Sequence, residues 1–144
     1  MFARAMAITH PDVGHCVQGS LIHCVEDCFD TAQTCIACAD ACLGEEMVRD
    51  LVQCIRLSLD CADLCSAAGH IATRRSGSNP TVIAAVLRAC AEACARCAEA
   101  CQLHASRMEH CRICAARCGQ CEDACLEAVA ELTNSPSARA YAHH

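Results

Sequence analysis

Cysteine fills 18 of the 144 positions, and its spacing is the first chemical statement the chain makes. The thiols are Cys16, Cys24, Cys28, Cys35, Cys38, Cys42, Cys54, Cys61, Cys65, Cys90, Cys94, Cys97, Cys101, Cys111, Cys114, Cys118, Cys121 and Cys125. Within each run the gaps are three, four, seven or eight residues, as in CRICAARCGQCEDAC, which carries five thiols in fifteen residues. A thiolate can be a nucleophile, a redox centre or a soft metal ligand. Nucleophilic catalysis needs one activated thiol beside a base, whereas no cysteine here is set apart from its neighbours, the eight histidines are scattered, and no Ser-His-Asp or phosphate-binding glycine motif occurs. An enzyme is not expected. Thiols stacked at i and i+4 have nearly parallel Cβ vectors, poor geometry for disulfides. A metal is the better use of such a pattern.

Charge balance narrows the metal. A zinc ion held by four thiolates leaves a net charge of about −2, and several such sites stacked in one narrow core are costly. The sequence also lacks a discrete four-cysteine box or a ferredoxin-type run, because CxxC and CxxxC pairs follow one another without a break. One Cu(I) per thiolate is neutral when each sulfur bridges two ions, and Cu(I) is the soft monovalent ion of a reducing compartment. Multiple Cu(I) ions per chain are the expected cargo. Ag(I) is not distinguished from Cu(I), and zinc or cadmium sequestration and thiol-redox buffering stay open as alternatives.

Those thiols need elements that aim them inward. Gaps of three and four repeat one face of an α-helix and never the alternation of a strand. At 100° per residue, Cys90, Cys94, Cys97 and Cys101 fall within an arc of about 60°, and Cys111 to Cys125 within about 80°. Stripes this narrow resemble coiled-coil seams. Gly44 suits the end of a helix, Glu45 and Glu46 the start of the next, and RSGSNP (75–80) is a loop ending in Asn79 as N-cap with Pro80 at N1. These marks predict helices near 12–43, 46–74 and 80–105, with a turn near 105–107 leading to a fourth. The predicted fold is all-α, an up-down-up-down four-helix bundle with a cysteine-lined core, in a single domain over 1–144 with irregular tails at 1–11 and 134–144.

RACAEACARCAEACQLH and CRICAARCGQCEDAC, with CxxxC and CxxC repeated across every predicted helix, resemble the cytosolic branch of the bacterial copper storage proteins. The likeness covers the chain from about Cys16 to Cys125. It implies a four-helix bundle assembled as a homotetramer, with inward-facing cysteines that store many Cu(I) ions. Copper-donating or copper-accepting proteins are expected partners of such a store.

Composition excludes other roles. The formal charge is −6 and the chain has no lysine, the opposite of a nucleic-acid binder. No segment reaches the length of apolar residues a membrane span needs, and no export signal is read, so a cytoplasmic location is expected. Only Phe2, Phe29 and Tyr141 are aromatic, so the thiols themselves must fill much of the interior.

The stripes also predict two unlike ends. Met47 lies seven residues before Cys54, His104 three after Cys101 and Met108 three before Cys111, so thioether and imidazole ligands extend the thiols at the end that carries Cys42. His110 lies about one residue off the stripe and is a weaker ligand candidate. Leu21, Ile83, Leu87 and Leu132 close the other end with an apolar plug. Val48, Val52, Ile55 and Leu59 line an outer face that could meet another subunit, while His15, His23 and His70 are read as solvated or structural.

Overall fold

Alanine, leucine and the charged residues between the cysteines favour helix, and helix is what they form. The computed structural model describes residues 2–11, 19–77 and 79–134, which include five α-helices and no strand. They are α1 (Phe2–Ile8), α2 (Gly19–Leu43), α3 (Val52–Thr73), α4 (Pro80–Gln102) and α5 (Glu109–Asn134). A 3₁₀ turn, Val48–Leu51, leads into α3. The four long helices have 25, 22, 23 and 26 residues. Each is therefore about 33–39 Å long, and their thiol stripes can run side by side over most of that length. α2 packs on α3 and α5, and α4 packs on the same two.

The loops hold some predicted signals and revise others. Asn79 does sit before Pro80, but its side chain makes no capping bond; its carbonyl instead accepts from the Ile83 amide at 3.1 Å. Gly44 follows α2 without entering the left-handed region, because short turn bonds from the Gly44 and Glu45 amides to the Ala41 and Cys42 carbonyls finish the helix. Among the described residues only Gly77, at φ 75°, has a positive φ, where a side chain would be strained. Glu45 and Glu46 do not open the next helix; regular turns begin at Val48. The predicted turn between the last two helices is present and longer than expected, running from Leu103 to Met108.

The N-terminal tail differs from expectation. Phe2–Ile8 is helical rather than irregular, and it is held by tertiary contacts: Ala3 packs against the core and Arg4 Nε lies 3.2 Å from Glu26 Oε1. The predicted span 12–18 lies outside the described residues, as do Cys16 and His15, and so does 135–144. At the apolar end, the Phe29 ring of α2 stands against Gly69 of α3, where an added Cβ would be 2.8 Å from Cζ. Gly69 lets the two helices approach with the ring between them.

Candidate metal centre

The seventeen described cysteines are all buried and none is in a disulfide. Helical spacing predicts this, because each stripe turns its sulfurs to one side and the four helices turn those sides toward one another. The sulfurs then pair across helices in reversed order. Cys24 and Cys125 are 3.7 Å apart, Cys35 and Cys118 3.5 Å, Cys54 and Cys101 3.3 Å, Cys61 and Cys94 3.6 Å, and Cys65 and Cys90 3.5 Å. These separations exceed the about 2.05 Å of a disulfide bond. They approach the about 3.8 Å that two sulfurs span on one tetrahedral ion with bonds of about 2.3 Å.

Five groups bring their ligand atoms within 4.8 Å of one another. They are Cys28, Cys90, Cys121 and Cys125; Cys65, Cys90, Cys94 and Cys121; Cys35, Cys97, Cys114 and Cys118; Cys38, Cys101 and Cys114; and Cys38, Cys42, His110 and Cys111. The groups share members. Cys90 and Cys121 belong to both of the first two, Cys114 to the next two, and Cys38 to the last two. A separate four-sulfur zinc site uses each thiolate once, so shared sulfurs fit clusters with bridging thiolates, which Cu(I) forms. Cys24, Cys54 and Cys61 belong to no such group, but Cys54 touches one thiol that does and Cys24 and Cys61 touch two each.

Protons in this core are shared between sulfurs. Hydrogen bonds from Cys125 and then Cys28 hold the Cys24 thiol down to about 5, against burial. Cys38 is drawn down to about 6, first by Cys101, with Cys54 and His110 adding to it and Cys114 and burial opposing. Cys121 is lowered most by Cys125, and Cys97 and Cys114 most by Cys101. Their neighbours go the other way: Cys121 raises Cys28, Cys65 and Cys94, and Cys114 raises Cys35 and Cys118. Thus adjoining thiols are biased in opposite directions by the hydrogen bonds they exchange, so each sulfur has a neighbour that donates to it or accepts from it inside the buried core. Burial pushes Cys42, at one end, up to about 12.

The end that carries Cys42 departs from its predicted ligand set. His110, the weaker candidate, is the one that joins the thiols: its Nδ1 is 3.5 Å from Cys38 Sγ, 3.6 Å from Cys111 Sγ and 4.0 Å from Cys42 Sγ. Its Nε2 lies 3.0 Å from Glu45 Oε1, so the carboxylate orients the ring and turns Nδ1 toward the sulfurs. Glu45 was missed as a site residue because two adjacent acids before a helix look like a dipole match. Burial lowers His110, yet Cys38 and Glu45 together hold it above the ordinary imidazole value.

The other three ligands predicted at this end fare differently. Met108 is buried against the core. His104 is half-buried, and its Nδ1 is enclosed without a hydrogen-bond partner. Met47 is 38% exposed, because fully buried Leu51 takes the inward position ahead of Cys54. His104 falls into none of the five groups. At the far end Leu21, Ile83 and Leu87 are buried and Leu132 packs against the core, an apolar closure among the described residues.

Solved structures share this architecture. The profile of the Csp family, described as copper storage protein, matches residues 17–130. The structure of the copper storage protein Ccsp from Streptomyces lividans loaded with 10 copper equivalents is similar at a TM-score of 0.85 and 45% identity, covering 89% of this chain and 98% of that one. A cytosolic copper storage protein from Streptomyces lividans with five coppers matches at a TM-score of 0.76 and 48% identity, over 78% of this chain and 93% of that one. The uncharacterised cysteine-rich protein YhjQ of Bacillus subtilis is 31% identical over 89 residues, 62% of this chain and 77% of its own length. The family match, taken with the thiol-filled interior between the helices, makes this chain a member of the Csp copper storage protein family.

Proposed function

We propose that this protein stores many Cu(I) ions in the cytosol, held by the cysteine thiolates between α2, α3, α4 and α5. The observation that carries this reading is the sharing of Cys38, Cys90, Cys114 and Cys121 between ligand groups, which bridging Cu(I) uses and closed zinc sites do not. The eighteen cysteines, Cys16 included, are the ligand set, with His110 at one end. The four long helices form an up-down-up-down bundle, a reading supported by the reversed order of the sulfur pairs on neighbouring helices. It is a binding protein rather than an enzyme.

Copper enters and leaves at the end with Cys42, His104, Met108 and His110, since the other end is closed by leucine and isoleucine. Copper-donating and copper-accepting proteins would meet that end. The chain is a homotetramer, and exposed Val52 and Leu59 supply an apolar face for a subunit contact.

Titration of the reduced protein with Cu(I) against a competing chelator tests the store. Loading should approach about one ion per cysteine, about eighteen per chain, as neutral thiolate clusters require. Saturation near about four ions, the number for separate four-sulfur sites, would replace this reading with zinc.

A further inference from the structure

Two ladder positions carry oxygen instead of sulfur. Thr31 lies three residues after Cys28 and four before Cys35, and Ser58 four after Cys54 and three before Cys61, so each continues the stripe of its helix. Both are fully buried. The Ser58 hydroxyl faces Cys97 Sγ at 3.5 Å and Cys101 Sγ at 3.9 Å. The Thr31 hydroxyl is enclosed and has no hydrogen-bond partner. A buried hydroxyl with no partner destabilises the protein, and valine would fill the same space without that cost. The metal-free state therefore gives no reason for the Thr31 oxygen.

We infer that Thr31 and Ser58 are positioning residues of the copper store, whose hydroxyls donate hydrogen bonds to neighbouring thiolates once copper is bound and do not themselves bind copper. This rests on the Cu(I)-storage reading above. Each Cu(I) that binds replaces a thiol proton, which leaves for solvent, so filling the core removes the S–H donors that the sulfurs share in the empty protein. The hydroxyls remain as donors inside a core that otherwise offers sulfur and hydrocarbon. Oxygen is a hard ligand and Cu(I) prefers thiolate, so the hydroxyl serves as a donor to sulfur while the sulfur serves the metal.

The test compares wild type with Thr31→Val, Thr31→Ser and Ser58→Ala in three measurements: thermal midpoint of the reduced metal-free protein, Cu(I) capacity, and removal of copper by bicinchoninate from the loaded protein. Thr31→Val should raise the metal-free midpoint by about 3 °C, since the unpartnered hydroxyl is gone. The same variant, once loaded, should release its most weakly held copper at about tenfold less bicinchoninate, the effect of losing a hydrogen bond to a charged group. Thr31→Ser should keep wild-type retention, and Ser58→Ala should lose retention with unchanged capacity. Wild-type retention in both Thr31→Val and Ser58→Ala would overturn the inference, as would a capacity reduced by one ion in either, which would make the oxygen a ligand. A wild type that loads normally beside such variants leaves the storage reading standing. A wild type that takes no Cu(I) removes both.

Discussion

At the scale of single residues, His110 shows how an imidazole becomes a ligand candidate without lying on the thiol stripe. It opens α5 next to Cys111, so its ring swings sideways across the end of the core, where Glu45 accepts from Nε2 and Cys38, Cys42 and Cys111 surround Nδ1. An angular estimate of 100° per residue places side chains by their Cα positions and ignores the reach of a long ring. Met47 errs in the opposite sense. Its seven-residue spacing from Cys54 passes through the 3₁₀ turn Val48–Leu51, where about three residues make a turn, so the helical phase slips and Leu51 takes the inward place. The two residues should therefore behave differently in stopped-flow uptake of Cu(I). His110→Ala is expected to slow uptake while capacity falls by no more than about one ion, since a single ligand is lost. Met47→Leu is expected to load at the wild-type rate. Equal slowing in both variants would mean that Met47 turns inward during uptake.

At the scale of elements, the four long helices were legible because the chemistry and the packing use the same residues. Every described cysteine marks the buried face as well as offering a ligand, so one pattern reports both the stripe and the site. The short helix Phe2–Ile8 left no such mark. A helix of seven residues is not stable alone, and here Arg4 and Ala3 fix it to α2 through contacts that no local pattern announces. The same holds for the pin between α2 and α5, where Arg117 Nη2 lies 2.9 Å from Asp27 Oδ2 and His23 Nε2 3.5 Å from the same oxygen. Burial raises the Asp27 carboxyl above its usual value, with Cys121 adding to the rise, while Arg117 and His23 pull it down. A carboxyl raised on folding contributes stability at pH below its unfolded value, about 3.8 to 3.9, and loses it as pH climbs through the folded value. Removing Arg117 takes away the largest opposing influence and lifts the folded value further. Arg117→Leu is thus expected to destabilise the reduced metal-free protein by about 2–3 kcal/mol at pH 7, the effect of leaving a buried carboxylate without its partner. The deficit relative to wild type should shrink as pH falls toward about 4 and Asp27 takes up its proton. Urea melts at the two pH values measure this, and a deficit independent of pH would assign it to lost packing instead.

For the whole molecule, loading exchanges thiol protons for Cu(I) one for one, so the formal charge of −6 is unchanged whether the core is empty or full. Filling can therefore proceed without a growing electrostatic penalty, provided the empty scaffold already holds its shape. Helices of 22 to 26 residues, an apolar end formed by Leu21, Ile83 and Leu87, and hydrogen-bonded thiols between them describe such a scaffold. This is unlike a zinc finger, which folds only with its ion. What the core does not use is left outside: Val52 is 64% and Leu59 44% exposed on α3, with Ile55 half-buried between them. One turn separates each from the next, so they form a continuous apolar strip along the helix, the face that the proposed subunit contact would use. Replacing Val52 and Leu59 together with Asp is expected to lower the native mass in light scattering, because two charges in an apolar contact are costly to bury. Far-ultraviolet circular dichroism of the reduced metal-free variant should stay helical, and Cu(I) capacity per chain should be unchanged, since neither side chain reaches the thiols. A native mass equal to that of wild type would place the subunit contact on another face of the molecule. Loss of helicity would instead show that the strip stabilises the chain itself.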